Sequence, residues 1–274
     1  MNPWLILGPG GMVAVGVLSV VYWFRRSRAA LRFFLFGGAV WAVSVAPKFL
    51  MDYTVTPQFS SWLLGSSLGM MGFLAVIGLY VGLRTGLFEC GASYVAFART
   101  RLGGASPDDA TAFGVGFGAT EAIVLAVPSL MQMVAFLTNP GLLDMLPPEQ
   151  RAYLLGQMSA PTWVVLAPIM ERAFTLLAHL FSALLVYASV RLGRPGLFVW
   201  SVAYKSALDA AVPYLQWYLS TSTNPASIYL VEVWVVIFGI AGIVGSIRLR
   251  RELGNLRLSS LVSSDLPRGV QNPQ

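Results

Sequence analysis

The chain has 274 residues, of which 56% are hydrophobic and 11% charged, with a net charge of +6. That balance excludes a soluble globular domain of this size, and a lone cysteine, Cys90, excludes an intrachain disulfide and a cysteine-held metal cluster. The basic excess sits in short connections between apolar blocks, which points to membrane orientation and away from nucleic acid as a partner.

The apolar blocks are about 20 residues long, the length a helix needs to cross roughly 30 Å of hydrocarbon. They predict an all-α, polytopic transmembrane bundle of about seven spans, at 4–24, 31–51, 61–83, 112–137, 162–190, 196–218 and 228–247. The opening "MNPWLILGPGGM" has no basic residue ahead of its apolar run, so the first block reads as a retained span rather than a cleaved signal. Residues 85–100, "TGLFECGASYVAFART", either extend the third span or form a helix on the cytosolic side. Residues 147–158, "PPEQRAYLLGQM", read as a short amphipathic helix on the outer face. A single membrane domain is expected over 1–253, followed by a disordered tail over 254–274, rich in Ser, Pro and Asn.

Orientation follows from the basic residues. One set of connections holds fourteen arginines: Arg25, Arg26, Arg28, Arg32, Arg84, Arg99, Arg101, Arg191, Arg194, Arg248, Arg250, Arg251, Arg257 and Arg268. The opposite set holds two basic residues, Lys48 and Arg151. The positive-inside rule then places the N-terminus outside and the C-terminus in the cytoplasm of a multi-pass protein of the cell membrane.

Six ionisable residues deep within the spans stand out: Glu121, Glu171, Arg172, His179, Lys205 and Asp209. Each charged group at a helix centre costs ~2.5–3.5 kcal/mol on insertion scales, so these side chains are expected to face inward. At ~1.5 Å per residue, Glu121, His179, Lys205 and Asp209 reach a similar depth, nearer the cytoplasmic side. Arg172, Thr175 and His179 share one helical face, and Lys205 and Asp209 are spaced to pair. Glu171 and Arg172 are adjacent and point about 100° apart, which disfavours a shared direction. No basic residue lies within a turn of Glu121, so its carboxylate is a functional candidate by default. Gly114, Gly116 and Gly118 just before it suit close helix approach or a broken helix start. A zinc site would have to rest on His179 and carboxylates, and no His-Glu-x-x-His motif is present. No metal and no cofactor are expected.

Four segments carry a resemblance: "GLFECGASYVAF" (86–97), "GVGFGATEA" (114–122), "ERAFTLLAH" (171–179) and "YKSALDAAV" (204–212). In this order they resemble the YhfC family, within the superfamily of glutamate-dependent, CAAX-type intramembrane proteases. The resemblance implies a helical membrane fold in which a glutamate activates water while histidines and an aspartate steady the oxyanion and the peptide. It implies catalytic positions at Glu89, Glu121, His179 and Asp209, and substrate-holding positions at Glu171, Arg172 and Lys205. The implied partners are the lipid bilayer and a transmembrane or lipidated peptide substrate in a cytoplasm-facing cavity. Four positions depart from the family pattern: Cys90 replaces a glutamate, Ser93 an arginine, and Phe117 and Lys205 each a histidine. Two alternatives stand beside hydrolysis: a non-catalytic protein that binds a membrane segment or lipopeptide on the same fold, and a proton-linked transporter relaying through Glu121, His179 and Asp209.

Overall fold

The structure, a computed structural model, describes residues 1–27 and 29–264, with side-chain environments up to residue 255. The side chains of Arg28, Arg257 and Arg268 therefore lie outside the described residues. Ten α-helices occur among the described residues, and no strand: α1 (Leu7–Ser27), α2 (Leu31–Thr54), α3 (Thr56–Leu64), α4 (Gly69–Arg99), α5 (Pro107–Thr138), α6 (Pro148–Gln157), α7 (Leu166–Leu192), α8 (Pro195–Ala210), α9 (Val212–Thr221) and α10 (Ser227–Ser264). The chain is an all-α bundle.

Six segments are long and apolar enough to cross a membrane: Pro3–Ser27, Leu31–Thr54, Gly69–Arg99, Pro107–Thr138, Thr162–Leu192 and Ser227–Asn255. The stretch expected as a span at 196–218 is instead two shorter helices, α8 and α9, which meet at Ala211. Pro213 lies in the first turn of α9, where its missing N–H is tolerated, and it cannot donate back into α8. The third expected span starts and ends later than the sequence suggests. The short helix α3 precedes it, and α4 runs unbroken to Arg99, so residues 85–100 extend the span. The segment 147–158 forms α6, beside a small apolar cluster of Phe136, Leu143 and Met158. Helix α10 carries residues 254–264 of the expected tail, and 265–274 lie outside the described residues.

The ends of the helices are set locally. Ser106 caps α5 in a reciprocal box with Asp109, and Pro107 occupies the first turn. Helix α7 stops at Gly193, whose φ of 63° is left-handed, and Pro195 begins α8. Helix α7 is the hub, packed against α1, α4, α5, α8 and α10.

In lipid, helices gain little from apolar burial against one another, so close packing depends on small residues. On α5, Gly114 and Gly118 face α7, and added methyls there would sit 3.0 Å from the Cα atoms of Leu180 and Leu176. Gly116 faces the opposite way, where an added methyl would meet the Phe34 carbonyl of α2 at 2.1 Å. The three alternating glycines thus serve two interfaces of one continuous helix. A second stripe, Gly78, Gly82 and Gly86 on α4, lies against Ala210, Ser206 and Val202 of α8. An added methyl at Gly82 would fall 2.2 Å from the Ser206 carbonyl. This approach brings Lys205, on α8, within reach of Glu89, on α4.

Candidate functional site

Five helices send ionisable side chains to one buried centre. Glu89, on α4, is 4% exposed and is gripped from two sides. The Lys48 ammonium of α2 stands 2.6 Å from its Oε1, and the Lys205 ammonium of α8 stands 3.1 Å from its Oε2. His179 of α7 bridges onward: Nδ1 is 3.6 Å from Glu89 Oε2, and Nε2 is 3.0 Å from Glu121 Oε2 on α5. Glu121 also accepts from the Trp41 indole N–H at 2.9 Å and from Arg172 Nη1 at 2.8 Å. The other arm of Arg172 pairs with Glu171. The result is a chain of alternating groups, Lys48–Glu89–His179–Glu121–Arg172–Glu171, with Lys205 and Trp41 attached at the carboxylates.

Two contacts in that chain are charge contacts without good hydrogen-bond direction. Glu89 Oε2 and His179 Nε2 are buried and lie off the angles a hydrogen bond requires, although their charged neighbours are close. Beneath Glu89, Cys90, Ser182 and Ser201 form a small polar knot, with oxygen–sulfur contacts of 3.2 and 3.4 Å and an oxygen–oxygen contact of 2.9 Å. The Phe117 ring lies against the His179 ring, with centroids 5.0 Å apart. A space of about 10 Å³ is lined by Glu89, Ser93, Phe117, His179, Ser182 and Ala183.

A larger cavity of about 430 Å³ borders the centre. Glu121, Glu171, Arg172, Asp209 and Glu232 line it, among apolar side chains that include Leu208, Leu215 and Trp234. Its lining comes from the N-terminal halves of α7 and α10, from α9, from the end of α8 and from the middles of α4 and α5, so it belongs to the half of the bundle away from the arginine-rich connections. The expected cytoplasm-facing cavity corresponds in position to the small space beside Glu89 and His179, and the larger cavity lies in the other half. That larger space opens where α8 ends at Ala210 and the short α9 stands beside α10.

The candidate residues are therefore divided. Glu89, Glu121, Arg172, His179 and Lys205 meet in the centre, and Glu171 joins through Arg172. Asp209 does not join. The expected Lys205–Asp209 pair is absent from the ion pairs among the described residues, because the glycine contact between α4 and α8 aims Lys205 at Glu89. Glu171 and Arg172 do pair, contrary to the expectation from their neighbouring directions, since the guanidinium fork on its long stem spans both Glu171 and Glu121.

Two contributors to the centre are not among the candidates that the sequence offers, Lys48 and Trp41. The sequence suits Lys48 to an outer connection, but it sits within α2 and turns inward. Trp41 lies seven residues earlier, on the same helical face. That i, i+7 relation, within a span that faces an unbalanced count of carboxylates, was the available signal. Arg84, assigned to a cytosolic connection, lies in the interior of α4 and pairs with Asp52 at 2.5 Å.

The donor set does not suit a divalent metal. Zinc needs three or four protein ligands, and both carboxylates here are already matched by cations or N–H donors. Both ring nitrogens of His179 face carboxylates. Among the described residues no group of three His, Cys, Asp or Glu side chains is disposed to hold a metal ion. The positions at which the resemblance would supply imidazoles carry the phenyl ring of Phe117 and the ammonium of Lys205, and neither can ligate.

No match to the chain was found among curated proteins or among solved structures. A family model described as YhfC intramembrane metalloprotease matches residues 11–235, which contain all the ionisable residues of the centre and its bordering cavity. That description names a metal, where the sequence reading expected a glutamate working alone. With the match covering most of its length and the bundle placing the family's segments around one buried polar centre, the chain belongs to the YhfC intramembrane metalloprotease family.

Proposed function

We propose that this chain uses the family's intramembrane scaffold to hold a transmembrane or lipidated peptide segment, and that its charge-locked centre does not hydrolyse it. The observation that carries this reading is the double grip on Glu89, by Lys48 at 2.6 Å and Lys205 at 3.1 Å. A general base must present a free lone pair to water and be poised near the working pH. Both oxygens of Glu89 stand against an ammonium group, so a water must displace one of them to reach the carboxylate. Glu121 is committed in the same way to Arg172, Trp41 and His179. The metal that the family description names has no ligand set here to bind it.

What the chain retains is a cavity of about 430 Å³ with mostly apolar walls and a few polar groups, the character of a binding site. The arginine asymmetry supports an orientation with the arginine-rich connections in the cytoplasm of the cell membrane, and hence a cavity in the outer half. The test is to reconstitute the full chain in lipid nanodiscs with membrane-spanning peptides that carry a photoreactive group. The expected result is crosslinking to cavity residues, with product profiles identical for the parent, Glu89→Gln and Glu121→Gln. A cleavage product that disappears in Glu89→Gln contradicts the proposal.

A second reading, hydrolysis by activated water, is favoured by the space of about 10 Å³ beside Glu89 and His179, near the minimum that one water occupies. It predicts cleavage that both Glu89→Gln and His179→Ala abolish. The relay reading loses its third member, because Asp209 stands outside the ion-pair chain.

A further inference from the structure

The bordering cavity carries a charge imbalance that the buried centre does not. Four carboxylates line it, Glu121, Glu171, Asp209 and Glu232, against one guanidinium, Arg172. Arg172 is shared between Glu121 and Glu171. Asp209 and Glu232 have no basic side chain within 4.0 Å among the described residues, although Lys205 stands one turn from Asp209 and pairs with Glu89 instead.

Glu232 is the sharper anomaly. It is 5% exposed, lines the cavity, and its Oε2 has no hydrogen-bond partner. A buried carboxylate without a partner is costly and calls for a compensating group. No such group is supplied by the elements around it. From α7 the cavity receives Glu171, Arg172 and Thr175, from α9 Gln216, and from α10 only apolar side chains besides Glu232 itself. Trp234 lines the same cavity with its indole N–H donated to the Leu208 carbonyl at 3.0 Å, so what it adds to the wall is aromatic surface. Aromatic surface beside carboxylates favours a cation carried on an apolar body.

We propose that this cavity binds a monocationic group, an alkylammonium or guanidinium on an apolar stem, with Glu232 and Asp209 as its counter-charges. The inference rests on the cavity's being a binding site, as in the preceding reading, and is independent of whether any peptide bond is cut. The chemistry has two sources, a free organic amine or a basic side chain of a bound peptide segment, and the experiment separates them.

The full chain in phosphatidylcholine nanodiscs is titrated calorimetrically with n-hexylammonium and with 1-hexanol. In parallel, photocrosslinking compares apolar spanning peptides that carry one lysine or one norleucine. The expected result is at least tenfold tighter binding of hexylammonium than of hexanol, lost by at least tenfold in Glu232→Gln or in Asp209→Asn. Glu252→Gln, an exposed carboxylate on the arginine-rich half of α10, serves as the unchanged control. A preference for the lysine peptide assigns the cation to a peptide side chain. Discrimination between hexylammonium and hexanol with no crosslinking of either peptide sustains the cation site and removes the peptide reading. Equal binding of hexylammonium and hexanol, or unchanged hexylammonium binding in both Glu232→Gln and Asp209→Asn, overturns the inference. Crosslinking of both peptides alike under those conditions leaves the peptide reading standing.

Discussion

The buried centre and the bordering cavity are neighbours built from the same helices, yet they treat charge in opposite ways. In the centre every carboxylate has a cation: Lys48 and Lys205 on Glu89, Arg172 on Glu121. In the cavity Glu232 and Asp209 are left without one. Compensated charges in a low-dielectric interior behave as structure, since breaking the pair costs more than keeping it. Carboxyl groups left without a cation are open to a cationic ligand. The difference teaches that the position of ionisable residues in a span does not by itself mark the working site; whether each is already satisfied by its neighbours does.

The contrast can be broken most forcefully at Lys205. Lys205→Met leaves Glu89 with one ammonium instead of two and should cost ~3–5 kcal/mol, the usual penalty for removing one partner of a buried pair. Unfolding of the detergent-solubilised protein measures this, and the double variant Lys205→Met/Glu89→Gln should recover part of the loss. Equal stability of the single variant and the parent would show that the pair is not structural. Next in size is Gly82→Leu, which places side-chain atoms where even a methyl would lie 2.2 Å from the Ser206 carbonyl. Parting α4 from α8 should cost ~1–3 kcal/mol by overpacking and should also weaken the Lys205–Glu89 contact.

On the cavity side, Glu232→Gln replaces a buried carboxyl group that has no partner, so its stability change should be small or favourable, within ~1 kcal/mol, even as cation binding falls. A loss comparable to that of Lys205→Met would mean that Glu232 has a structural role, and the contrast would fail. The smallest effect is expected at Asp52→Asn. Its pair with Arg84 is 2.5 Å long, but the Asp52 side chain is 44% exposed, so the change should stay within ~0–1 kcal/mol.

Hydropathy made most of the bundle legible, because six of its elements are long apolar helices whose length alone distinguishes them. It failed at 196–218, where a break at Ala211 leaves total hydrophobicity unchanged but splits the helix. In the site, the inward convergence of Glu121, Arg172, His179 and Lys205 was readable from cost and depth, and Glu89 from the resemblance. The pairings were not. Lys205 could reach Asp209 along its own helix or Glu89 across an interface, and only the glycine stripe of α4 decides between them. Lys48 was hidden because a lysine near a span end also fits a connection. The acidic cavity was hidden because Glu232 lies near the start of α10, six residues into the helix, where a carboxylate is unremarkable until its surroundings are known.

The central claim is that an ion-pair network occupies the buried centre and leaves no ligand set for the metal that the family's description names. Its most direct test is the zinc content of the purified protein after equilibration with zinc and dialysis, measured beside Glu89→Gln and beside Phe117→His/Lys205→His. The account predicts no zinc in the parent above the level of Glu89→Gln, and a gain toward about one per chain only when both imidazoles are installed. One zinc per parent chain, lost in Glu89→Gln, would contradict it.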